Sequence, residues 1–238
     1  MGAGIHKDQM ADTQQTAERR KAIQQKNREG IRNRNLAWLD QMVNNPARLH
    51  EKMAFFWHGH FACRTQSSFF QQQLLNTIRT HGLSDFGTLL TEVSKSAAML
   101  QFLNNQQNRK NSLDENFARE VMELFIMGRS NYSEQDVKEA ARAFTGWGFN
   151  LAGEFKFLRF QHDKGDKNIL EKNGNFNGDD VLKILLEQPA TATLICTKLY
   201  LFFVNDTVNF KHVDWMAKRF FASGYQIQPI LTDMFTAD

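Results

Sequence analysis

The chain has 238 residues, 42% of them apolar and 23% charged, with a formal net charge of +3. That is an ordinary composition for a globular protein with ample core material. Two cysteines cannot make a disulfide scaffold, and no apolar run approaches the ~20 residues that a membrane span needs.

Residues 1–34 are rich in Gln, Asn and Arg and hold eight Lys or Arg against four acids, a net +4, so the remainder is close to neutral. Without an apolar stripe this stretch reads as a loosely packed, disordered basic arm. No aromatic ring interleaves with the charges, so nucleic acid is not the expected partner. The opening "MGAGIHKDQMADTQQ" has no apolar core of the kind a secretory signal contains.

Ordered structure is expected from about Asn35, where Leu36, Leu39, Met42 and Val43 fall at helical spacing. "NNP" at 44–46 ends that helix, and a second follows from about Ala47 to Trp57, with Met53, Phe56 and Trp57 inward. Residues 68–81 and 85–103 read as helices, followed by a polar surface loop, "NNQQNRKNS" (104–112). Ser112 or Asp114 caps the helix "DENFAREVMELFIM", and Gly128 stops it. "SEQD" at 133–136 is a capping-box start for a helix to Phe144. "EFKFLRF" alternates like one arm of a small β-hairpin near residues 147–165. From Asp180 the chain returns to helices. The expected fold is mainly α, a single multi-helix domain over 35–238.

Three groups carry candidate chemistry. In "WHGH", His58 and His60 would diverge by roughly 200° on a continuous helix, so both grip one ion only if the backbone leaves helical geometry at Gly59. Metal ligand and core residue are both open readings there, because metal sites need three or four converging donors. On the 114–127 helix, Asn116, Glu120, Glu123 and Met127 run down one flank of a stripe made by Phe117, Val121, Leu124 and Phe125. Glu120 and Glu123 suit a divalent metal or an acid/base pair; equally, they suit ion pairs with Arg119 or Arg129. "QHDKGDK" (161–167) offers His162 and Asp163 as a catalytic pair after a strand, or as a hydrogen-bonded turn. Walker, GxSxG, HExxH and CxxC motifs are absent.

"EKMAFFWHGHF", "NFAREVMELFIMG", "NYSEQDVKEAARAFTGW", "QHDKGDK" and "GNFNGDDVL…ILLEQPATATLICTKLYLFFV" occur in the order seen in domain-of-unknown-function family 1800, which the chain resembles from about residue 48 onward. Family members are bacterial and longer at both ends, so the resemblance implies a partial family domain. Export to the periplasm is a further implication, since members often carry export signals. Another is a partner from a neighbouring uncharacterised family that resembles sulfatases. Gly59 stands where the family pattern has Asn. The family's motif blocks contain the three groups above, which makes one shared site the expectation. In it, His58, His60, Glu120 and Glu123 are metal ligands, His162 or Asp163 is the general base, and Asn116, Arg119 and Trp57 line the site. The function so implied is a metal-dependent or acid/base, hydrolytic enzyme; the alternative is a non-catalytic helical scaffold or partner-binding protein.

Overall fold

The structure, a computed structural model, describes residues 3–236, with side chains from residue 17 onward. Its first helix, α1, spans Ala3–Asn44. Helix therefore begins well before Asn35, and residue 34 lies inside it. The physical reason is propensity: the stretch is dominated by Ala, Gln, Lys, Arg and Glu, and no proline precedes Pro46. Most of its side chains between Ala17 and Asn33 remain exposed.

Helices α2 (Arg48–His60) and α3 (Ser68–His81) pack beneath α1. Buried Glu51 ties the three together, accepting from Trp38 Nε1 (2.9 Å) and from Arg79 Nη2 (2.8 Å). Trp57, fully buried, donates to the carbonyl of Gly82 at 2.8 Å. The single helix expected over 85–103 is two, α4 (Phe86–Ser94) and α5 (Ala97–Phe102). Ser96 makes the break, because its side chain accepts from Met99 N as the N-cap of a new helix.

The polar loop after α5 is not a surface loop throughout. Asn105 and Asn108 are buried, and they cap the last carbonyls of the later helix α7 (Glu134–Phe144). Asn105 Nδ2 donates to Phe144 O and Trp147 O, and Asn108 Nδ2 to Ala141 O. A short α6 (Asn116–Glu120) runs directly into a π-helical segment, Val121–Met127, which Gly128 closes at φ 74°. The capping box at Ser133 and Asp136 opens α7 as expected.

The expected hairpin is present: β1 (Trp147–Phe149) pairs antiparallel with β2 (Phe155–Phe157). A second hairpin, β3 (Lys167–Ile169) with β4 (Lys172–Gly174), follows before the chain returns to helices. Its turn residues Leu170 and Glu171 both have positive φ without the Asn-Gly pair that announces such a turn. Helices α8 (Gly178–Leu186), α9 (Pro189–Phe203), α10 (Phe210–Ala222) and α11 (Ile227–Thr236) complete the chain. One core joins residues from Met53 to Met234, so the fold is mainly α with two small hairpins. Among the described residues no helix is long and apolar enough to cross a membrane.

Candidate functional site

The π-helical segment sets the geometry of the central cleft. Its C-terminal carbonyls lack partners within the helix, and side chains from elsewhere in the chain take them up. His60, from the end of α2, is 2.9 Å from Phe125 O through Nε2. Lys198, from α9, lies 2.9 Å from Leu124 O and 3.1 Å from His60 Nδ1. Asn131 Nδ2 donates to Met127 O at 2.7 Å. A carbonyl only accepts, so His60 carries its proton on Nε2, and Nδ1 accepts from the Lys198 amine. Both ring nitrogens are thereby committed. Burial, and then the positive charge of Lys198, push the His60 pKa down to about 3, against the opposing pull of the Phe125 carbonyl. Burial also lowers the pKa of Lys198.

Around this pair opens a cleft of about 650 Å³ lined by Gly59, His60, Phe102, Leu103, Asn116, Glu120, Leu124, Phe125 and Lys198, among others. That volume falls in the range of small-molecule sites. Leu124, expected in the buried stripe, is 47% exposed at the cleft wall. The π turn, one residue wider than an α turn, shifts the register and sends Met122 and Ile126 into the core instead. Glu120 is half-buried in the lining and, among the described residues, has no ion-pair partner.

The expected metal set does not come together. α2 continues through Gly59, so the two imidazoles diverge as helical geometry requires. His58 packs edge-on against Trp38, ring centroids 5.1 Å apart, while His60 points inward. Glu123 turns away to Arg129 (2.5 Å) and Tyr132 (3.2 Å), the ion-pair alternative of the sequence reading. Arg129 holds its carboxyl below the usual carboxylate range. Arg119 pairs with Glu115 and Glu134 and does not line the cleft, and Trp57 is core. Among the described residues no three His, Cys, Asp or Glu side chains converge to hold a metal ion. As placed, His58, His60, Glu120 and Glu123 do not surround one common point.

His162 and Asp163 form a separate cluster. Buried His162 sits 3.0 Å from Thr145 O through Nδ1 and packs edge-on against Phe157. Asp163 is held by Arg142 through both oxygens (2.7 and 3.2 Å) and by Gly165 N. The Arg142 guanidinium keeps the Asp163 carboxyl low, and burial lowers His162. Arg142 also reaches Glu139 at 2.6 Å, and buried Lys167 donates to Asp163 O and Gly165 O. Neither His162 nor Asp163 lines the cleft. Of the expected shared site, the structure brings together His60, Asn116 and Glu120.

A family model described as protein of unknown function (DUF1800) matches residues 3–238. The chain belongs to the DUF1800 family. No curated protein and no solved structure matches it. In this DUF1800 chain Lys198 and Arg142, the cations that organise the two clusters, lie outside the residues expected from sequence. Lys198 stands alone in the otherwise uncharged run "PATATLICTKLYLFFV", and a lone cation in such a helix was the available signal. For Arg142 the signal was weaker, since an Arg three residues after Glu139 on a helix usually marks a solvated ion pair.

Proposed function

We propose that this DUF1800 protein is a helical binding module, and that its cleft takes a ligand with an apolar body and an anionic head. One observation carries the reading. Lys198 is fixed at the cleft wall by two acceptors, which leaves one of its three N–H groups for a ligand, beside Phe102, Leu103, Leu124 and Phe125. Fixing the cation in advance lowers the entropy cost of binding. A metal-dependent or His162/Asp163 acid/base hydrolase draws less support, because the groups it needs are held apart and already bonded within the protein. A protein partner, for which the family resemblance offers a sulfatase-like neighbour, would present the same chemistry through an apolar segment with a carboxylate.

Octanoate is the probe. Calorimetric titration is expected to give saturable binding that Lys198→Gln weakens by about tenfold or more, the value of a charge-assisted hydrogen bond. Glu120→Gln, which removes a like charge from the lining, is expected to tighten it, and octylamine is expected to show the opposite pattern. Near-UV circular dichroism checks that each variant keeps its native packing. Octanoate affinity indifferent to both substitutions, in folded variants, removes the basis of this reading.

A further inference from the structure

A second concavity lies outside the cleft, where α1 crosses the connection between α2 and α3. It has a volume of about 240 Å³ and is lined by Gln24, Asn27, Arg28, Ile31, Arg64, Thr65 and Gln66. Six of these seven side chains are polar, two are arginines, and no carboxylate is among them. Among the described residues neither Arg28 nor Arg64 has an ion-pair partner, although most arginines from Arg79 onward do. The first turn of α3, immediately beyond Gln66, carries no acid that could serve as one.

The crossing itself is closely built. Gly30 lets α1 approach α3 so nearly that a Cβ there would lie 3.1 Å from Ser68 Oγ. Arg34 donates to Ser68 O, and Ser68 Oγ lies 3.4 Å from Asn27 Oδ1. The two arginines are therefore brought to one pocket by elements already docked through other groups, on two segments 36 positions apart in the chain. Two like charges facing one concavity repel each other unless an anion lies between them.

We propose that Arg28 and Arg64 form a site for a tetrahedral oxyanion, sulfate or phosphate, free or as the end group of a small molecule. Guanidinium forks match the paired oxygens of such groups, and the side-chain amides of Gln24, Asn27 and Gln66 supply neutral N–H donors around them, while Thr65 spends its hydroxyl proton on Gln101. The volume lies below the roughly 300–1,000 Å³ of drug-sized ligand sites, which suits a single oxyanion-bearing group. The lining has no aromatic ring on which a base could stack, so nucleic acid is disfavoured.

The test is calorimetric titration of the full chain with sodium sulfate, sodium phosphate and glycerol 3-phosphate, each against sodium chloride at matched ionic strength. Saturable one-site binding is expected for the oxyanions, weakened at least tenfold in Arg28→Gln and in Arg64→Gln. Arg32→Gln removes the same charge one helical turn along α1 and is expected to change affinity less than twofold. Glycerol 3-phosphate separates the sources: binding as tight as phosphate or tighter assigns an ester, and binding only of the free anions assigns those. No saturable binding, or equal losses in Arg32→Gln and Arg64→Gln, overturns the proposal, since the latter marks diffuse charge. The octanoate titration reports on a different cleft, so the two readings stand or fall separately.

Discussion

His60 shows how one histidine can look like a ligand in sequence and act as a strut in the fold. Its ring joins the end of α2 to the π-helical segment and to α9 through two hydrogen bonds. Its folded pKa of about 3 lies below the ordinary 6.5, so the unfolded chain takes up the proton first as pH falls. The associated stability is complete above about pH 6.5 and declines as pH drops towards 3, by about 1.4 kcal/mol per unit. Between pH 7.5 and 5, wild type is expected to lose about 2 kcal/mol more than His60→Gln in urea unfolding. His58 and His162, lowered by burial, keep their contributions of the same sign in both proteins, so the difference isolates His60. A parallel loss in the two proteins would mean that His60 is not buried as a neutral ring.

Among the elements, the bounds of α7 and the close of the π-helical segment were legible, whereas the break at Ser96 and the π turn itself were not. The Ser133 capping box marked α7, and Gly128, in the left-handed region of φ, marked the close of the π-helical segment. Ser133→Ala is expected to cost about 1 kcal/mol, the usual value of a lost N-cap, measured by urea denaturation with Ser130→Ala as an exposed-serine comparison. The break between α4 and α5 was hidden because apolar residues continue at helical spacing across Ser96. The π turn was hidden for a related reason. Spacings of four, seven and eleven fit an α flank equally well, and only backbone hydrogen bonds distinguish the wider coil. Glu120 and Glu123, adjacent on an ideal helix, therefore part company, one to the cleft and one to Arg129. The loop asparagines were misjudged because polarity was equated with exposure, whereas Asn105 and Asn108 are buried by bonding to helix-end carbonyls.

Across the whole molecule, a mainly α fold was legible because helical spacing recurs along most of the chain and prolines are few. Which groups would meet was not, since convergence depends on helix docking that local pattern does not encode. Two glycines measure that difference. A Cβ on Gly178, at the start of α8, would lie 2.3 Å from Trp147 Cζ2 and 2.6 Å from Phe144 Cδ1. Gly178→Ala is expected to cost about 1–3 kcal/mol through overpacking. Gly59 has nothing within 4 Å of the same position and sits inside α2. Gly59→Ala is expected to stabilise by roughly 0.5–1 kcal/mol, with both read from denaturation midpoints. The π-helical segment has the widest reach of these features, because helices from both halves of the chain hold its carbonyls. A turn that stores an extra residue behaves as an insertion trapped inside an element. Shortening the chain there by one would restore an ordinary helix while rotating the acceptors away from His60 and Lys198. In this chain a change of length is therefore expected to cost less at Leu151, fully exposed in the β1–β2 connection, than between Val121 and Met127.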